Sequence, residues 1–115
     1  AGHSPAFILG SDGAVKSELR RTGMPLGVMQ DAEYTVSKPL RLAKGDVLVL
    51  LTDGLEETAN TEGELFGVDR ILQAVHQNRQ SKAAKIVESV FETLKDFSGN
   101  PEQVDDLTMI VAKAE

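Results

Sequence analysis

Cysteine is absent from the 115 residues, so neither a disulfide nor a thiolate metal site is available. Histidine occurs twice, at His3 and His76, too few for a zinc site of the usual nitrogen and sulfur type. Any metal centre has to be built from oxygens. Basic residues are in the minority: twelve Lys and Arg stand against eighteen Asp and Glu, a net charge of −6 spread along the chain. A nucleic-acid binder needs a basic face to displace counterions, and this balance argues against one. The longest aliphatic run is Val47–Leu51, far short of a membrane span. No secretory signal is present and the first residue is Ala1, not Met, so a cytoplasmic setting is the default expectation, with an upstream segment missing. Internal repeats and low-complexity tracts are lacking too. A chain of this length makes one domain at most, with enough residues to bury a core.

What is there reads as an α+β domain. Ala6–Leu9 is apolar, Gly10-Ser11-Asp12-Gly13 is a dense turn signal, and Ala14 and Val15 follow, which predicts a hairpin. Gly23-Met24-Pro25-Leu26-Gly27 is a loop. From Glu33 to Leu42 the pattern alternates, with Tyr34, Val36, Leu40 and Leu42 on one face, and Pro39 pushes this predicted strand to a sheet edge. Val47–Thr52 is apolar on both faces and hence central. Val68, Ile71, Leu72 and Val75 form an amphipathic stripe. Ser81 is the expected N-cap of a longer helix that turns Ala84, Val87, Val90, Phe91 and Leu94 inward and stops at Ser98-Gly99-Asn100-Pro101. Leu107–Ala112 closes the chain as a second strand apolar on both faces. Helices laid on one face of an antiparallel sheet are the economical layout.

Two acidic strand ends carry the chemistry. Thr52-Asp53-Gly54 closes VLVLLTDG, and Asp105-Asp106-Leu107-Thr108 opens DDLTMIVA. Alone, Asp-Gly after a strand is an ordinary turn, and Asp-Asp before a strand is an ordinary solvated cap. Carboxylates at the mouth of a hydrophobic sheet are costly unless a cation or hydrogen bonds compensate them. If the two ends are neighbours in the fold, they make an all-oxygen site for a hard divalent ion.

At this point GDVLVLLTDGLEE, followed by Asn60, Gly63, Phe66-Gly67 and VDDLTMIVAK, resembles the C-terminal part of the metal-dependent PPM-type protein phosphatases. The branch it looks most like is the bacterial stage II sporulation E-type, which includes sigma-factor regulatory phosphatases. Ala1-Gly2-His3-Ser4-Pro5 and Met24-Pro25-Leu26-Gly27 match two further motifs of that branch in order, so the resemblance spans residues 1–115. It implies a sandwich of two antiparallel sheets flanked by helices, with a two-metal site for magnesium or manganese at one end. Asp53 and Asp105 stand at metal-ligand positions of the family. Asp106, where the broader family often has asparagine, is taken as an alternate ligand or as a group behind the ligands. Gly54 and Thr108 support the site, Thr108 by orienting the loop.

His3 is read as a structural hydrogen-bonding group, with a general acid as the alternative. Glu56 and Glu57 are read as helix-capping carboxylates, His76 as solvated, and Asn60, Gly63 and Gly67 as loop punctuation. The family's upstream half carries further acidic ligands, among them another Asp-Gly pair, and Asp12-Gly13 does not match it. The chain is therefore expected to be an incomplete phosphatase domain. The activity implied is hydrolysis of a phosphoserine or phosphothreonine on a bacterial signalling protein by metal-activated water. A phosphorylated anti-sigma-factor antagonist is the expected kind of substrate. A non-catalytic fragment or pseudophosphatase acting in protein–protein regulation is the alternative. With strand edges unpaired, the isolated chain is expected to form a homodimer.

Overall fold

The computed structural model describes residues 1–99 and 106–115. The expected hairpin forms from β1 (Ala6–Leu9) and β2 (Val15–Leu19). Its turn is held by Gly13 N–H to Gly10 O at 2.8 Å and by the Asp12 carboxylate, which accepts from Ala14 N–H at 3.0 Å. Gly13 has φ of 85°, and its missing Cβ leaves room for the His76 ring. His76 is thus half-buried against the hairpin instead of being freely solvated.

β3 (Val47–Leu51) pairs antiparallel with β1 on one side and with β4 (Met109–Lys113) on the other, giving the order β2-β1-β3-β4. Its apolar character on both faces suits that central place. β4 lies at an edge of this sheet although its run is apolar on both faces: among the described residues it pairs with β3 alone, and Ile110 is 57% exposed. Alternation along the strands sends Phe7, Leu9, Val47, Val49, Leu51, Met109 and Val111 to one face.

That face is covered by helices. After the single turn α1 (Asp53–Glu56) come α2 (Gly67–Gln77) and α3 (Ala83–Ser98). The predicted α2 stripe is the buried one: Ile71 and Val75 are fully buried with Ala74, and Val68 and Leu72 pack at the margin. α3 buries Ile86, Val90 and Leu94 at i, i+4, i+8; Val87 and Phe91 flank them, and Ala84 faces outward instead of inward. Its N-cap is Lys82, not Ser81. The Ser81 carbonyl instead accepts from Lys113 Nζ at 3.1 Å, a bond that ties the α2–α3 connection to β4. α3 stops as expected at Gly99, whose φ of 58° is the left-handed conformation glycine adopts freely.

The expected strand over Glu33–Leu42 does not form. A strand needs a neighbour to pair with; here the segment is held by a clasp between Thr22 and Thr35 and by Tyr34 Oη donating to Pro25 O. Its alternating apolar residues face outward, Val36 at 96% exposure. The described residues make one four-stranded sheet, half of the sandwich that the resemblance implies. The dimensions agree with one sheet layer and one helix layer: the extents are 45 × 35 × 19 Å. A radius of gyration of 15.5 Å exceeds the about 13 Å of a compact chain this long.

Candidate metal centre

The antiparallel register puts the start of β1, the end of β3 and the start of β4 at one end of the sheet. His3, Asp53 and Asp106 lie beyond these three strand ends. The β3–β4 ladder runs through the Leu51–Met109 pair and one bond further, Thr52 N–H to Thr108 O at 3.0 Å. There the chain turns. The Thr52 carbonyl accepts from Leu55 N–H at 3.2 Å and so begins α1, with Asp53 at its first position.

Two features pin the turn. Leu55 is fully buried beneath it, and Thr58 Oγ donates to Gly54 O at 2.8 Å. On the other side, the backbone of Asp106 lies directly against Gly54. A Cβ at residue 54 would come within 2.5 Å of the Asp106 carbonyl oxygen, so only glycine fits without displacing that peptide. The two acidic strand ends predicted from the sequence, 54 residues apart in the chain, are therefore in van der Waals contact.

This end of the sheet is acidic. Asp53, Glu57 and Asp106 are exposed and Glu56 is half-buried. Among the described residues, Asp53, Glu56 and Glu57 have no ion-pair partner; the ion pairs are Lys16–Asp46, Arg20–Glu18, Arg70–Glu64 and Lys85–Glu88. Burial, then the negative charges of Glu57 and Asp53, raise the Glu56 carboxyl above its ordinary pKa. Glu56 and Glu57 do not cap the N-terminus of α1, where no side-chain cap bond is made: Glu56 is its last residue and Glu57 its C-cap.

The donor chemistry suits a hard divalent ion, since every candidate ligand is an oxygen. In number the set is partial. Among the described residues no three His, Asp or Glu side chains gather to hold a metal ion. Asp105 lies outside the described residues, so the geometry here concerns Asp53 and Asp106. His3 is exposed and makes a local hydrogen bond between its Nδ1 and Ser4 O at 2.8 Å. Thr108 is tied to Thr52 through its backbone, its N–H donating to the Thr52 hydroxyl at 3.1 Å and its carbonyl accepting from Thr52 N–H at 3.0 Å.

Of the two residues that hold the loop after α1, Asn60 was read as loop punctuation and Arg70 was not singled out from the sequence. Asn60 organises the loop after α1, its Oδ1 accepting from Glu62 N–H at 3.0 Å and Glu64 N–H at 2.9 Å. Arg70 locks that loop to α2, donating to Leu65 O, Phe66 O and the Glu64 carboxylate while stacking 4.7 Å over the Phe97 ring. An Asn two and four residues before those donor amides was the available signal for Asn60. Arg70 carried none, because its partners are set by tertiary packing.

Among known proteins, the chain is similar to protein IcfG of Synechocystis sp. (strain ATCC 27184 / PCC 6803 / Kazusa), 33% identical over 110 residues, 96% of this chain and 17% of that protein. It is 30% identical to phosphoserine phosphatase RsbU of Bacillus subtilis (strain 168) over 116 residues, 98% of this chain and 33% of that protein. The chain thus spans a third or less of these relatives. Two solved structures share the fold. The SiaA-PP2C domain of Pseudomonas aeruginosa superposes with a TM-score of 0.74 at 23% identity, over 96% of this chain and 43% of that one. The phosphatase domain of the cell fate determinant SpoIIE from Bacillus subtilis, presoaked with manganese, gives 0.67 at 18% identity, over 99% and 48%. The one-sheet architecture is accordingly part of a PP2C-type fold; the expected C-terminal placement within it rests on the motifs alone. The stage II sporulation protein E (SpoIIE) family model matches residues 1–115 without remainder, and the chain belongs to that family.

Proposed function

We propose that this chain is part of a manganese- or magnesium-dependent serine/threonine phosphatase that hydrolyses a phosphoserine or phosphothreonine on a bacterial signalling protein. Asp53, Asp105 and Asp106 hold the metal, supported by Gly54 and Thr108. The observation that carries the reading is the contact of Gly54 with the Asp106 peptide, which joins the two acidic strand ends at one sheet end with no ion-pair partner for Asp53 among the described residues. Family membership supports it, as does a relative named as a phosphoserine phosphatase. That one structural neighbour was presoaked with manganese agrees with the choice of metal.

Bound ions of this kind supply positive charge to a phosphoryl group and lower the pKa of an attacking water. The chain's own part is to concentrate carboxylates where that charge is needed and to hold them apart from basic side chains. Without metal the same carboxylates repel a phosphate dianion. An anti-sigma-factor antagonist is the proposed kind of substrate, and a cytoplasmic setting belongs to this reading. No helix of the described residues is long and apolar enough to cross a membrane.

A non-catalytic regulator is the second reading, favoured by the incomplete ligand set among the described residues. Manganese-dependent hydrolysis of a chromogenic phosphate ester by the full-length protein separates the two. The phosphatase reading expects activity that is lost in the Asp53→Asn, Asp105→Asn double variant. Activity that survives both changes refutes the assigned mechanism, and no activity in the intact protein favours the regulator.

A further inference from the structure

We propose that the Thr52 side chain is a positioning residue, a clip that carries β4 past the end of its backbone ladder and sets Asp106 against the Asp53-Gly54 turn. The relevance to metal binding rests on the reading above; the clip itself rests on hydrogen bonds.

In a regular antiparallel pair, residues 52 and 108 would exchange two backbone bonds. One is made, Thr52 N–H to Thr108 O at 3.0 Å. The Thr52 carbonyl, however, is turned into α1, where it accepts from Leu55 N–H. The Thr108 N–H finds the Thr52 hydroxyl oxygen instead, at 3.1 Å. The hydroxyl hydrogen then points at the Asp106 carbonyl oxygen, 3.2 Å away, with the Thr108 carbonyl further off at 3.5 Å. A hydroxyl has one hydrogen to give and lone pairs to receive, so this arrangement uses both capacities.

The position of Thr52 sharpens the point. It is the N-cap of α1, with extended backbone angles of −86° and 156°, where a threonine oxygen ordinarily accepts from its own helix. Here no side-chain cap bond is made. The side chain serves the neighbouring strand in place of its own helix. With the steric stop at Gly54, the Asp106 peptide is held from two sides: pulled by the hydroxyl and limited by the glycine. The distance between the two acidic strand ends is thereby set before any ion arrives, which is what a preorganised site requires.

The test uses the full-length protein with Thr52→Val, which keeps the shape and removes the hydroxyl, and Thr52→Ser, which restores it. Two readouts are taken without substrate: manganese affinity by calorimetry, and hydrogen exchange at the Thr108 amide in metal-free protein. The clip predicts a slowed Thr108 amide in the wild type and in Thr52→Ser, and fast exchange in Thr52→Val. It also predicts manganese binding about tenfold weaker in Thr52→Val, the scale of one lost hydrogen bond, and within about twofold of wild type in Thr52→Ser. A Thr108 amide that is unprotected in the wild type overturns the proposal with no variant needed. So does a Thr52→Val protein that binds manganese as tightly as wild type. Asp53→Asn separates the two readings: it is expected to abolish binding and leave Thr108 protected. If it leaves binding intact, the metal-site reading fails while the exchange data still decide the clip.

Discussion

Replacing Gly54 by alanine isolates the contact that joins the two strand ends. The added Cβ would sit 2.5 Å from the Asp106 carbonyl oxygen, against about 3.3 Å for an ordinary carbon–oxygen approach. Either that peptide or the α1 turn must move by about 0.8 Å. Neither yields freely, because Leu55 is buried under the turn and the Asp106 carbonyl accepts from Thr52. Overpacking of this kind costs about 1–3 kcal/mol. Against it stands the gain from removing a helical glycine, at most about 1 kcal/mol. The net is a destabilisation of about 1 kcal/mol, or a fall of about 2–4 °C in the melting temperature of the full-length domain. Metal affinity should suffer more than stability, since a displacement beyond about 0.5 Å exceeds what a preorganised ligand set tolerates. Thermal melts of metal-free protein and manganese titrations, run side by side, measure the two effects. A Gly54→Ala protein that melts higher than wild type and binds manganese unchanged would refute the reasoning, because the glycine would then have no steric task.

Three further outcomes follow from charge and exposure. The Asp46 carboxylate is buried and accepts from Lys16 Nζ at 2.7 Å and from Ala43 N–H at 2.8 Å, which hold its pKa below the ordinary value. Its contribution is therefore complete above about pH 4, where the unfolded aspartate ionises, and is lost as pH falls through the lower folded value. Asp46→Asn should lower the melting temperature at pH 7, with the gap closing in acid; a gap independent of pH contradicts this. Glu56 is the opposite case: its folded pKa is raised, so its charged form opposes folding above that pKa. Glu56→Gln should raise the melting temperature at pH 7 and change little well below pH 4, and a loss of stability at pH 7 counts against the acidic-cluster account. The isolated 115-residue chain should self-associate at micromolar concentration, because Ile110 on the β4 edge and the outward residues near Val36 are uncovered. Light scattering checks it, and a stable monomer would mean that the half-domain reading is wrong.

Local signals were legible in the sequence wherever the deciding partners are close in the chain. The Gly10–Gly13 turn gave the hairpin, the run Val47–Leu51 gave the central strand, and Gly99 gave the end of α3. The stripe of α2 was readable because its period alone determines the buried face. Errors fall where distant residues decide. Ser81 has the chemistry of an N-cap, but the helix starts later and the Ser81 carbonyl is held by Lys113, 32 residues on. Residues 33–42 carry a strand's alternation without a pairing strand among the described residues, so pattern and structure part there. Of the candidate site, the carboxylates were readable from their place at the ends of apolar runs. The bond between Thr52 and the Asp106 peptide was not, since it depends on the Thr52 carbonyl turning away into α1.

The central claim is that the joined strand ends hold a divalent cation, and locating that ion tests it most directly. Crystals of the full-length protein soaked in manganese and measured for anomalous scattering are predicted to show the metal in direct coordination with Asp53 and with a carboxylate of the Asp105–Asp106 pair. The signal should vanish in Asp53→Asn. Manganese bound elsewhere, or at the same place in Asp53→Asn as in wild type, would contradict the account.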